Sequence, residues 1–347
     1  MSGSIVQLRE SGVPPLRRIF AAALIVIPLA GLLISCQVPI HRQTRFAMST
    51  TLTVQVSASR EPAWQDLFDY ADRAAWQFDH RRSEQALGRV NRAGGGSPPD
   101  EVLAVLETAQ IVAAASDGAF DPTVLALTEL WSFDTGGQVP ADAQIQQVRS
   151  LVDFSKVSID PDGSVRLADG VRFDLGGIAK GAVVDLTADY LAAVGYEDFL
   201  IDAGGDILVS GLKQGRTPWR IAIRHPRDSQ AVLGVVALGQ RGKRIAVVTS
   251  GDYERYFEQN GERYHHILDP RSGYPARSLV SVTVVASTCA LADALSTAVF
   301  VLGPERGLDL LARFPDAEGL LIAEREGKLV PWRTDGFPGA LESFDLH

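Results

Sequence analysis

The chain predicts an α+β fold, with largely antiparallel sheet and helices packed on it. Three observations carry this. Strand-like and helix-like segments do not alternate regularly, which argues against a doubly wound parallel sheet. From residue 199 to residue 286 short apolar stretches follow one another with turn residues between them, as in a series of antiparallel pairs. Helical periodicity is confined to blocks on either side of that stretch. Composition agrees with a folded body: 46% of the 347 residues are hydrophobic and 22% charged, unlike disordered or collagen-like chains. A net charge of −9 supplies no basic excess for a nucleic acid. No sequence repeat at a fixed period is present.

Taken in order, the first element is an address rather than part of the fold. Arg17 and Arg18 precede residues 19–34, a stretch without charge, and Leu33-Ile34-Ser35-Cys36 follows. A basic flank, an apolar core, a small residue and then cysteine is the layout of a bacterial lipoprotein signal, cut before Cys36 so that its thiol receives a lipid. A plain transmembrane anchor is the alternative, because the uncharged stretch runs on through Ile40. Arg17-Arg18-Ile19-Phe20 also partly matches a twin-arginine export motif. On the lipoprotein reading residues 1–35 are a signal peptide and residues 36–347 a single domain. The protein is then exported and membrane-anchored, on the periplasmic face in a Gram-negative cell, with Gln37 favouring the outer membrane. Residues 1–35 hold three arginines against one glutamate, so their loss takes the net charge from −9 to −11. Cys289 is then the remaining cysteine, set in an apolar context that suits a small packed hydrophobe.

Residues 51–57 alternate as a first strand. Residues 63–78 place Trp64, Leu67, Phe68, Ala71, Ala75 and Phe78 near one helical face. Gly94-Gly95-Gly96-Ser97-Pro98-Pro99 is a loop. Asp100 then caps a helix carrying Leu103, Leu106, Ile111 and Ala114, which Gly118 ends. A helix follows at 141–152, then short strands at 157–159, 165–167 and 171–175, with a Pro161-Asp162-Gly163 turn. A helix over 177–194 stops at Gly195. Strands are expected at 199–201, 207–210, 219–224, 232–238, 245–249, 264–268 and 280–286. Helices resume at 290–301 and 304–314, and 319–323 is the last strand.

Four stretches are candidates for chemistry. Asp174-Leu175-Gly176-Gly177-Ile178-Ala179-Lys180-Gly181 ends a strand and opens a helix. Paired glycines there let a ligand approach the backbone, and a helix start offers amide donors to an anion. Lys180 is disfavoured at that end of a helix dipole unless it meets an anion; the plain alternative is a tight turn with Lys180 in solvent. Asp202-Ala203-Gly204-Gly205-Asp206 reads as a β-turn with capping aspartates or as a second close approach to ligand. His265-His266-Ile267-Leu268-Asp269-Pro270 follows Ser250-Gly251-Asp252-Tyr253-Glu254-Arg255-Tyr256. Adjacent strand residues face opposite sides, so the two imidazoles do not share one ion, and no further Cys/His cluster supports zinc. In Ala292-Asp293-Ala294-Leu295-Ser296-Thr297, Asp293 and Thr297 stand at i and i+4 on one helical face. A carboxylate and a hydroxyl one turn apart suit a hard cation such as Mg²⁺. The alternative makes Asp293 a helix cap, with Thr297 bonded back to the helix.

In order, these pieces resemble the ApbE-type FAD:protein FMN transferases. The matching stretches are Gly118-Ala119-Phe120-Asp121-Pro122-Thr123 with Leu130-Trp131-Ser132-Phe133, then residues 174–181 with Asp185, then 202–206, 250–257, 266–273 and 292–297, followed by Val301-Leu302-Gly303. The resemblance covers most of residues 48–323, and a lipoprotein signal is frequent in the family. It departs from the family pattern at Asp202, often Asn there, and at Ser49, where glycine is usual; Ser83 and Asn91 match a further stretch only loosely.

The resemblance implies an α+β arrangement related to T-fold units, with FAD in a cleft and Mg²⁺ at its pyrophosphate. Asp293 and Thr297 match the family's metal ligands, Ser296 assists, and the Gly177 carbonyl matches the remaining one. Asp174, Lys180, Ala119, Phe120, Asp121, His266, the Ile267 backbone and, more loosely, Met48 and Phe78 match flavin-nucleotide contacts. The family attaches FMN through a phosphoester to a Thr or Ser hydroxyl of partner proteins, such as subunits of membrane redox complexes. The expected catalytic set is Lys180, Asp293 and His266, the last as general base, with Asp269 or solvent as the alternative proton acceptor. Two rival activities stay open: an FAD pyrophosphatase giving FMN and AMP, and an FAD-binding lipoprotein without chemistry.

Overall fold

In the computed structural model, residues 38–339 are described. The signal peptide, Cys36 and its lipidation lie outside them. The centre is one eight-stranded sheet: β1 (Ile40–Ala47), β2 (Thr50–Ser57), β3 (Phe199–Ala203), β4 (Asp206–Ser210), β5 (Arg244–Gly251), β6 (Ser281–Ala286), β7 (Glu318–Arg325) and β8 (Lys328–Arg333). Their spatial order is their chain order, and every neighbouring pair is antiparallel. Such a sheet needs no crossover strand, and helices and hairpins fill the long connections.

Those helices are α1 (Trp64–Gln77), α2 (Ala86–Ala93), α3 (Asp100–Ala115), α4 (Leu125–Trp131), α5 (Asp142–Arg149), α6 (Ala179–Ala193), α7 (Cys289–Leu302) and α8 (Pro304–Leu311). α6 and α7 pack on one another and on the middle of the sheet. α7 is apolar nearly all round, and 11 of its 14 residues are buried, so it sits at the centre of the main core. β6 beneath it is buried at every position, as a strand covered on both faces must be. The hairpin of Trp219–Arg224 and Val232–Leu238 turns alternate residues inward and closes the opposite face through Trp219, Ile221, Leu233 and Val236. Among the described residues no helix is long and apolar enough to cross a membrane.

The α+β class with antiparallel sheet is borne out, and its errors have physical causes. β1 was missed because it is an edge strand: its middle residues are exposed polar ones, so no apolar alternation marks it. β8, beyond the expected last strand, carries Pro331, which an edge strand tolerates and a central strand does not. α2 and α4 are short and fell below any periodic signal. In α3 the buried stripe is Val102, Val105, Leu106, Ala109, Val112 and Ala113, whereas Ile111 is 58% exposed. Asp100 makes no side-chain cap there; Pro99 is the capping position. Residues 171–175 are not a sheet strand. Their backbone bonds instead to the Asn91 side chain, to the Pro122 carbonyl and, through an isolated bridge, to Val124. The expected strand 264–268 splits into Glu262–His265 and Leu268–Asp269.

Candidate active site

α6 and α7 approach so closely that no side chain fits where they touch. A Cβ on Gly181 would stand 2.3 Å from the Cys289 carbonyl oxygen. Across the same contact, Asp185 of α6 accepts the Cys289 and Ala290 N–H groups at 2.8 Å each, capping α7 from outside its own sequence. Burial pushes its carboxyl up to about 6, against the pull of those two donors. Thr288 adds the local cap. This fixes the register of α7, and with it Asp293, Ser296 and Thr297.

Asp293 is therefore not a helix cap but a carboxylate buried in mid-helix, 3% exposed. Its Oδ2 accepts the Gly181 N–H at 3.2 Å. In a regular helix that N–H would turn back to the residue four before it, which is Gly177. Among the described residues no such bond reaches the Gly177 carbonyl. Gly177 lies against Thr297: a Cβ there would be 3.3 Å from Thr297 Oγ1 and 3.3 Å from the Phe120 ring. Ser296 is fully buried, donating to the Asp293 carbonyl at 2.9 Å and sharing a 2.7 Å bond with Ser250 Oγ of β5.

Lys180 extends from the first turn of α6 to the same place. Its Nζ donates to Asp206 Oδ1 at 2.7 Å and stands 4.0 Å from Asp293 Oδ2, with 35% of the side chain exposed. Burial works against its charge, but Asp206 and then Asp293 outweigh it and hold its pKa above the ordinary lysine value. Asp206 is raised by burial first and by Asp293 second, with Lys180 pulling it down. Burial and the nearby Asp293 thus favour the protonated form of Asp206; ionising all three groups would set two carboxylates against one ammonium. Asp206 Oδ2 is buried without a hydrogen-bond partner. This chemistry fits a hard cation: one carboxylate, one hydroxyl and one carbonyl, with places left for phosphate and water. Among the described residues no group of three or more His, Cys, Asp or Glu side chains is placed to hold a metal.

His265 and His266 diverge, the first ending a strand and the second lying just beyond it. His265 is buried, bonded to the Ala276 carbonyl at 2.6 Å and edge-on to Phe300. His266 is half-buried, and its Nδ1 lies 3.2 Å from the Arg255 carbonyl oxygen. A carbonyl only accepts, so that bond requires the proton on Nδ1 and leaves the Nε2 lone pair available. Burial first, then the charges of Arg255, His265 and Lys180, hold His266 well below the ordinary histidine pKa. It is neutral at neutral pH.

Other expected contacts serve the scaffold in part. Asp174 Oδ1 accepts the Gly176 N–H at 2.9 Å, and its Oδ2 accepts the Thr128 hydroxyl at 2.8 Å. Asp121 accepts from the Thr123 N–H and hydroxyl and from the Phe154 N–H, which shapes the loop carrying Ala119 and Phe120. Burial raises its pKa. Phe78, Ala119 and Phe120 are buried in the main core, with Met48 packed against it. The Ile267 N–H goes to His265 Nδ1 and its carbonyl to the Ala276 N–H. The helix-start amides are also largely taken: those of Ile178 and Ala179 both go to the Leu175 carbonyl. Lys180, rather than free amides, is the positive element of the site. Of the two aspartates in 202–206, Asp202 does cap its turn through the Gly205 N–H, while Asp206 belongs to the site. Sequence reasoning left Asp206 out of the site; its signal was a carboxylate opening an otherwise apolar strand.

The family model of the ApbE family matches residues 48–321. The FAD:protein FMN transferase of Vibrio cholerae is 36% identical over 240 residues, which are 67% of this chain and 71% of that protein. The FAD:protein FMN transferase of Treponema pallidum is 34% identical over 309 residues, 81% of this chain and 84% of its own length. Among solved structures, the ApbE protein of Thermotoga maritima superposes with a TM-score of 0.78 at 32% identity, covering 86% of this chain and 98% of that one. The flavin transferase ApbE from Vibrio cholerae superposes with a TM-score of 0.76 at 28% identity, with the same coverage.

Proposed function

The chain belongs to the ApbE family, and from that premise we propose that it transfers the FMN moiety of FAD to a Thr or Ser hydroxyl of a partner protein and releases AMP, with Mg²⁺ as its cofactor. The observation that carries the site is the convergence of Asp293, Thr297, Gly177 and Lys180 at the α6–α7 contact. Asp293, Thr297 and the Gly177 carbonyl would hold Mg²⁺, with Ser296 beside Thr297 assisting. Mg²⁺ bound there supplies charge neutralisation at the pyrophosphate of FAD. Lys180 supplies a second, permanent positive charge to the same phosphates.

The acceptor hydroxyl oxygen attacks the FMN-side phosphorus. A phosphorus–oxygen bond forms, the bond to the bridging oxygen breaks, and AMP leaves with that electron pair. His266 Nε2 takes the hydroxyl proton. Such transfer depends chiefly on positioning and on neutralising spread negative charge, which is what a rigid helix contact and a fixed ammonium provide. Asp174 and Asp121 shape the loops beside Gly177 and Phe120, and Met48, Phe78 and Ile267 complete the flavin-nucleotide cleft.

The N-terminal layout supports export as a lipoprotein anchored through Cys36, with an acceptor in a membrane redox complex. The test is incubation with FAD, Mg²⁺ and candidate acceptor proteins, read as in-gel flavin fluorescence. A fluorescent acceptor band is expected, and its absence with several matched acceptors contradicts the proposal.

A further inference from the structure

Lys180 Nζ stops 4.0 Å from Asp293 Oδ2. An ammonium left to itself beside a carboxylate closes to a hydrogen bond of about 2.8 Å. The ammonium is instead seated on Asp206, at 2.7 Å. Asp206 opens β4 and pairs with Ala203 of β3 and Val248 of β5, in the middle of the sheet. Its backbone is fixed on both sides, and the residue is 1% exposed. Its other oxygen, Oδ2, is buried with no partner, a desolvation cost that an apolar residue there would avoid.

We propose that Asp206 is a positioning residue of the cation site: it draws the Lys180 ammonium off Asp293 and so keeps that carboxylate open to a divalent cation. The inference rests on Asp293 and Thr297 being the cation's ligands. Lys180 and the cation compete for the same carboxylate. Without Asp206 the nearest anion to Lys180 is Asp293, and a lysine side chain spans the remaining gap by rotamer changes alone. Lys180 would then serve as an internal competitor of the cation instead of a partner to the phosphates.

Mn²⁺ alone is the probe, because its free electron paramagnetic resonance signal disappears on binding. It is titrated against the full-length protein and its variants. Asp206→Ala is expected to weaken Mn²⁺ binding about tenfold. Adding Lys180→Met to Asp206→Ala removes the competitor and is expected to restore affinity to within about threefold of Lys180→Met alone. Asp206→Asn keeps the shape and one acceptor, and covers the case in which the alanine variant does not fold; it should lose affinity in the same direction by less. Unchanged affinity in both Asp206 variants overturns the proposal. So does a loss that Lys180→Met does not repair, since a direct ligand could not be rescued that way. Absence of Mn²⁺ binding by the wild type overturns the reading of Asp293 and Thr297, and this proposal with it.

Discussion

Gly181→Ala tests whether the α6–α7 contact sets the geometry of the site. The added Cβ would meet the Cys289 carbonyl oxygen at 2.3 Å, its carbon at 2.5 Å and the Ala290 nitrogen at 2.7 Å. All three are backbone atoms in the first turn of α7, so no side-chain rotation relieves them. Ordinary contact begins at 3.4 Å, and the helices must therefore part by about 1 Å. The Gly181 N–H to Asp293 bond and the seating of Thr297 against Gly177 lie directly on that contact. Overpacking of this kind costs about 1–3 kcal/mol, a melting-point loss of a few degrees to about 10 °C in a body of this size. A misplacement of about 1 Å at a reacting centre costs on the order of a hundredfold in rate. Thermal unfolding and the FMN-transfer assay read the two effects separately. A variant that melts and transfers like the wild type would refute the argument that this contact positions Asp293 and Thr297.

Two pH dependences follow from the buried groups. With His266 as the base, kcat/KM for transfer stays flat as pH falls through 6.5 and declines only well below it, because His266 must remain neutral and its pKa is held low; an acid limb at or above 6.5 contradicts the assignment. For Asp185 the folded carboxyl sits at about 6, above its unfolded value near 3.8. Folding therefore favours the protonated form. That stability, at most about 3 kcal/mol, is complete below pH 3.8 and lost as pH rises through 6. Asp185→Asn should show a smaller fall in urea-unfolding free energy between pH 4 and pH 7 than the wild type, and a fall of the same size would remove Asp185 as its cause.

What the sequence could reveal was set by how local each cause is. The i, i+4 spacing of Asp293 and Thr297 is a property of one helix, and the structure sets Thr297 against Gly177 and Asp293 on the Gly181 N–H. His265 and His266 do part as expected, though His265 ends a strand and His266 lies just beyond it. Lys180 at a helix start pointed to an anion or to solvent, and what it meets are the carboxylates of Asp206 and Asp293. The misses are non-local. Asp185 matched the family pattern without a legible role, because that role is to cap a helix 104 positions away. Asp206 looked like a turn residue because its partner Lys180 lies across the core. Gly181 carried no reading of its own in the sequence, and what approaches it is α7. The polar edge strand β1 carries little burial, so its sequence carries little pattern.

The central claim is tested most directly by counting AMP and FMN-labelled acceptor in one reaction containing FAD and Mg²⁺. The account predicts one AMP for each FMN joined through a phosphoester to a Thr or Ser, with both products lost on chelation of Mg²⁺ and in Asp293→Ala. AMP and free FMN without labelled protein would make the enzyme a pyrophosphatase, and stoichiometric FAD binding without AMP would make it a carrier; either result contradicts the account.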